Sequence, residues 1–148
     1  MLSLFRHHGI DYHRITETIF LGTNACCQTH FAQELLSKGI RTDLSLEAEH
    51  LDQPEGVDHF LWLPTPDHTP PTVAATELGA GLLGFCEERN LPCYVHCKNG
   101  HGRGPTMVAA YLMRSRSLTA KEAIGAVRSK RPSIHLDPSQ VAFLENWS

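Results

Sequence analysis

No stretch of this 148-residue sequence approaches the roughly 18 consecutive apolar residues of a membrane-spanning helix, which argues against stable insertion in a bilayer. Leu2 to Phe5 is too short for the apolar core of a secretory signal, so a cytoplasmic protein is expected. A basic excess is lacking too. The net charge of -3 gives no footing to a phosphate-backbone binder, and no nucleic-acid partner is expected. The five cysteines, at 26, 27, 86, 93 and 97, are odd in number and scattered, which makes no disulfide framework and fits a reducing compartment. Repeats, low-complexity tracts and long linkers are absent, so residues 1–148 read as one domain, and a hydrophobic content of 41% excludes disorder.

Elements alternate in the α/β manner and predict a central, mostly parallel sheet of about five strands flanked by helices. Two short strands are expected over 12–21, and a helix capped by Asn24 through about Lys38, closed by Gly39. Strands follow over 40–46 and 57–63, then a long helix over 71–89 whose Gly79, Gly81 and Gly84 permit close packing. Pro92 to His96 reads as the central buried strand. Met107 to Met113 continues as a helix, Thr119-Ala120-Lys121-Glu122 is a capping box for a helix to about Arg131, and Asp137-Pro138 opens a last helix ending at Trp147. Arg128, Lys130 and Arg131 are expected to form a solvated helix end rather than a membrane patch.

Chemistry is concentrated where the central strand turns into a helix, at His96-Cys97-Lys98-Asn99-Gly100-His101-Gly102-Arg103-Gly104. The glycines let the backbone fold tightly, so that the N–H groups of Lys98, Asn99, Gly100, His101, Gly102 and Arg103 converge on one point in front of a helix N-terminus. Such a cradle binds a phosphate dianion and favours the thiolate of Cys97. Arg103 can fork two phosphate oxygens while the sulfur faces phosphorus. A thiolate displaces an alkoxide only if something protonates the leaving oxygen. Asp67 is the candidate acid, in the proline-stiffened run Pro64-Thr65-Pro66-Asp67-His68-Thr69-Pro70-Pro71 at a strand end; its competing role is to cap the helix beginning near Pro70. A rival metal reading uses Cys93, His96, Cys97 and His101 as zinc ligands. Alternation along a strand separates those side chains, and zinc leaves Arg103 and the glycines unexplained, so no metal and no organic cofactor are expected.

The His-Cys-five-residues-Arg run resembles the signature loop of the cysteine-based protein tyrosine phosphatase superfamily, and most of all its small dual-specificity members. The resemblance implies that Cys97 is the nucleophile, Arg103 the phosphate ligand and Asp67, thirty residues before Cys97, the general acid. It also implies that His96 orients the loop; read locally, His96 is a strand-end residue with a satisfied ring. Two departures stand out. Members usually carry a serine or threonine after the arginine, where this chain has Gly104, and Thr106 lies too far along to be taken as its substitute. An asparagine often orders the site from the last helix, where this chain has Pro138-Ser139-Gln140; a polar role for Ser139 or Gln140 is the alternative, and ordinary first-turn residues are the expectation. The implied function is phosphomonoester hydrolysis through a cysteinyl phosphate, with phosphorylated protein or a small anionic phosphomonoester as partner. A dual-specificity protein phosphatase is the first expectation. A phosphoinositide or phospholipid phosphatase is the alternative, since Lys98, His101 and the run Thr106 to Leu112 are similar to the lipid-phosphate branch. A phosphate-binding module without chemistry is the third reading. Cys26, Cys27 or Cys93 could pair with an oxidised Cys97, though ordinary buried cysteines are expected.

Overall fold

The computed structural model describes residues 10–147, so the Leu2 to Phe5 stretch lies outside the described residues. Five strands, β1 (Tyr12–Arg14), β2 (Ile19–Gly22), β3 (Thr42–Glu47), β4 (His59–Thr65) and β5 (Cys93–His96), form one sheet in the order β1-β2-β5-β3-β4. Only β1 is antiparallel to its neighbour; β2, β3 and β4 run parallel to the strands beside them, and β5 is central. Five helices flank the sheet: α1 (Gln33–Leu36), α2 (Val73–Glu88), α3 (Arg103–Arg116), α4 (Ala120–Lys130) and α5 (Pro138–Glu145). Among the described residues, no helix is long and apolar enough to cross a membrane.

One expected element is broken. Instead of a single helix over 24–38, a 3-10 turn at Asn24–Cys26 is capped by Thr23, and only Gln33–Leu36 is α-helical. Between them the chain hydrogen-bonds elsewhere: Gln53 N–H donates to Cys27 O, and Phe31 N–H to Glu55 O. Competition from a neighbouring loop for these backbone groups overrides local helix propensity.

The sheet sorts its side chains by parity, as a pleated strand must. On β5, Cys93 and Val95, and Cys97 just beyond the strand, join the core made with α2 to α5, whereas Tyr94 packs with Phe20, Phe31 and Leu35 on the opposite face. His96 lies beside Tyr94, ring centroids 5.6 Å apart. On β3, Leu44 and Leu46 serve the first core. Asp43, Ser45 and Glu47 alternate with them and are all buried. Gly79 lets α2 approach α3 closely, because a Cβ there would lie 2.5 Å from Met107 Sδ. Gly81 meets nothing within 4 Å and has no such packing role.

Candidate active site

Cys97 follows the carboxyl end of the central strand, and Arg103 opens α3, so the loop between them lies where parallel α/β sheets present ligands. Gly100 makes the tight part of the loop at φ +69, and a Cβ there would lie 2.6 Å from Gly22 O, so only glycine fits. Cys97 is 2% exposed, and its sulfur accepts a hydrogen bond from Gly104 N–H at 3.4 Å. Asp67, Cys97, Asn99, Gly102 and Arg103 meet around a cleft of about 180 Å³. His68, His101, His135 and Asp137 complete its wall. Lys98 is exposed on the same loop and its side chain does not line the cleft.

Arg103 is held from two sides: Nη1 donates to Glu49 Oε1 at 2.8 Å and to Thr65 O at 2.9 Å. Its Nε is buried without a hydrogen-bond partner, 3.5 Å from Asp67 Oδ1. Burial works against the guanidinium charge, but the Glu49 hydrogen bond and the Cys97 and carboxylate charges outweigh it, so the Arg103 pKa is raised.

Asp67 does not cap α2. Thr72 does, its hydroxyl accepting from Ala75 N–H at 3.1 Å. Asp67 instead accepts from His68 N–H at 2.9 Å in a turn where His68 has φ 65. Helix α5 holds this turn. Ser139 Oγ donates to His68 O at 2.9 Å, and Gln140 Nε2 donates to Thr69 O at 3.2 Å while its Oε1 accepts from Asp137 N–H. The expectation that Ser139 and Gln140 are ordinary first-turn residues is therefore corrected: buried Gln140 and its neighbour tie the acid loop to the last helix. His68 Nδ1 also lies 3.0 Å from Asp137 Oδ2.

Arg131 is a second correction. Rather than being solvated, it is fully buried; Nε donates to Gly100 O at 2.9 Å, Nη2 to Asn99 O at 3.0 Å, and Nη1 to Asp11 Oδ1 at 3.0 Å. It ends a helix, yet the loop's outward carbonyls draw it inward. Thr106, as expected, supplies no hydroxyl to the sulfur: it donates to Gly102 O at 2.7 Å. His96 points away from the cleft to the other sheet face, its Nδ1–H donating to Cys97 O at 3.3 Å. Cys93, His96, Cys97 and His101 accordingly do not gather as ligands. Cys26 and Cys27 are bonded to each other, not to Cys97, and Cys93 is a free, buried thiol. Adjacent cysteines enclose no loop, so this disulfide is not a framework.

The chain belongs to the dual specificity phosphatase catalytic domain family, whose model matches residues 19–148. It is a cysteine-dependent phosphatase of that type. Among its relatives is the rat protein named phosphatidylglycerophosphatase and protein-tyrosine phosphatase 1, 31% identical over 151 residues covering 95% of this chain and 77% of the relative. Crystal structures of PTPMT1 share the fold. One has TM-score 0.78 at 30% identity, with 93% of each chain covered. Another, in complex with PI(5)P, has TM-score 0.76 at 26% identity, covering 92% of this chain and 93% of the other.

Proposed function

We propose that this chain hydrolyses the phosphomonoester of an anionic lipid headgroup, a phosphatidylglycerophosphate or a phosphoinositide, through a cysteinyl phosphate on Cys97. The single observation that carries the chemistry is the meeting of Cys97, Arg103 and Asp67 around one cleft. The lipid preference is supported by relatives matched over nearly the whole chain, one bound to PI(5)P and one named for both phosphatidylglycerophosphatase and protein-tyrosine phosphatase.

In the first step the Cys97 sulfur attacks phosphorus, the P–O bond to the leaving group breaks, and Asp67 gives its proton to the departing oxygen. Arg103 Nε, buried and without a hydrogen-bond partner, and the loop N–H groups hold the equatorial oxygens. Water then attacks phosphorus, ionised Asp67 takes its proton, and sulfur leaves as thiolate. The cleft of about 180 Å³ accommodates a phosphate and little more, so the rest of the substrate lies outside it, near exposed Lys98 and His101.

The protein-phosphatase reading comes second, since the same centre can act on phosphotyrosine, phosphoserine and phosphothreonine. A panel of phosphatidylglycerophosphate, phosphoinositides and phosphopeptides, assayed with one preparation, separates the two by kcat/KM. The lipids should lead by roughly tenfold or more. Phosphopeptides leading by that margin would overturn the lipid preference while leaving the chemistry intact. Cys97→Ser should abolish phosphate release from para-nitrophenyl phosphate, and Asp67→Asn should lower it by about 10²-fold to 10⁴-fold. No release from the unaltered chain would mean a binding module instead.

A further inference from the structure

Behind the signature loop, on the sheet face away from the cleft, lies a second cluster that phosphoryl transfer does not use. Three carboxylates, Asp43, Glu47 and Asp52, are buried there, each at most 4% exposed. Asn24 Nδ2 donates to both oxygens of Glu47, at 3.1 and 2.9 Å. That accounts for Glu47. The other two carboxylates crowd one nitrogen: His96 Nε2 lies 3.1 Å from Asp43 Oδ1, 3.4 Å from Asp52 Oδ2 and 3.4 Å from Cys27 Sγ. One N–H cannot serve three acceptors. Asp43 Oδ1 and both oxygens of Asp52 have no hydrogen-bond partner, although the side chains of Asp43 and Asp52 are wholly buried. Buried carboxylate oxygens that no donor reaches leave lone pairs for a ligand to take up.

We propose that the chain binds one divalent metal ion of the zinc class here, ligated by Cys26, Cys27, Asp43 and His96. One donor atom from each of these four residues lies within 4.8 Å of all the others, and all four residues are buried. Tetrahedral zinc, with ligand distances of about 2.0–2.3 Å, sets its donors roughly 3.3–3.8 Å apart. The observed 3.1 and 3.4 Å contacts around His96 Nε2 need only small adjustment to reach that spacing. Thiolate sulfur and imidazole nitrogen favour zinc over magnesium or calcium. The tautomer that frees Nε2 to ligate is the one whose Nδ1–H donates to Cys97 O, so the metal would fix the backbone of the nucleophile itself. Asp52, beside Nε2 at 3.4 Å, lies outside this ligand set.

The metal-bound state requires the Cys26–Cys27 bond to be opened. A phosphine does this with balanced chemistry: the S–S bond breaks, phosphorus gains an oxygen atom from water, and two thiols form. Metal binding then releases the thiol protons to solvent. Disulfide and metal are thus exclusive states of one site.

The test uses the whole 148-residue chain carrying Cys97→Ser, which removes the catalytic thiol as a competing ligand and makes the readout independent of phosphatase activity. Phosphine-reduced protein should take up one equivalent of Co²⁺ at ~10 µM, with sulfur-to-metal charge-transfer absorption and the visible bands of a tetrahedral site. Zn²⁺ should bleach both. The unreduced protein should show neither, and Asp43→Asn should weaken binding by roughly tenfold or more. A Cys26→Ser, Cys27→Ser variant should lose the charge-transfer band. Because that variant could misfold, the thermal midpoint of the unaltered ligand set is measured as well: Zn²⁺ should raise it after reduction and leave it unchanged before. No charge-transfer band in the reduced protein at ~100 µM Co²⁺ overturns the proposal, as does a band that survives without Cys26 and Cys27.

Discussion

At Gly104 the helix begins directly against the nucleophile, with no side chain between them. A Cβ at this position would lie 3.7 Å from Cys97 Sγ and 2.8 Å from Leu21 Cδ1, the far end of a side chain that can turn away. A serine hydroxyl would therefore be within reach of the sulfur, where it could stabilise the thiolate as it leaves the phosphoenzyme. Thr106 cannot do this while bonded to Gly102 O. The unaltered chain should show a stopped-flow burst of leaving group followed by slow steady turnover. Gly104→Ser should raise the steady rate about tenfold, the value of one hydrogen bond to a charged group. The accompanying loss of stability from crowding Leu21 should be about 1–3 kcal/mol. Equal steady rates in the two proteins would show that expulsion of the thiolate does not limit turnover.

Elements matter most where α5 holds the acid loop. Gln140 is buried and bridges Thr69 O to Asp137 N–H, so Gln140→Met strands two backbone groups at a cost of about 1–3 kcal/mol. Its effect should depend on the leaving group. An alkyl phosphate needs a well-placed Asp67 and should lose roughly tenfold in kcat, whereas an aryl phosphate with an acidic phenol should lose little. An equal loss on both substrates would indicate general disruption, not acid positioning. His68 adds a pH-dependent tie to the same loop. The Asp137 hydrogen bond, then the Asp67 charge, raise its pKa above the ordinary value of about 6.5, with Arg103 opposing. The tie is therefore complete below about pH 6.5 and is lost as pH rises through the raised value. A proton NMR titration of the imidazole should show this, and Asp137→Asn should move the midpoint down. Because His68 is exposed, salt should shrink the shift. A midpoint indifferent to Asp137 would remove the tie from the account.

For the whole molecule, residues that recur in local patterns were legible in the sequence and residues placed by long-range contacts were not. The glycine-rich run from Cys97 to Arg103, the strand before it and the capping box at Thr119 are each contiguous, and the sheet and its central strand follow from them. The break in the 24–38 segment has no local signal because its backbone partners lie at residues 53 and 55. The polar face of β3 carried a faint signal, Asp43, Ser45 and Glu47 alternating with Leu44 and Leu46, but nothing local says that both faces are buried. Glu49 gave no signal at all. Arg131 shows this most clearly, since one side chain joins the end of α4, the signature loop and Asp11, 120 residues away in sequence. Asp11 is largely exposed, so the ion pair itself contributes little, and the stability resides in the two buried carbonyl bonds to Gly100 and Asn99. Arg131→Met should cost about 3 kcal/mol by stranding those carbonyls, lowering the thermal midpoint by roughly 6–12 °C. It should also weaken inorganic phosphate binding, because the same carbonyls fix the amides that face the anion. Arg131→Lys keeps the charge without the planar fork and should recover only part of both losses. If the Met variant melts early yet binds phosphate with unchanged affinity, Arg131 stabilises the fold without shaping the loop.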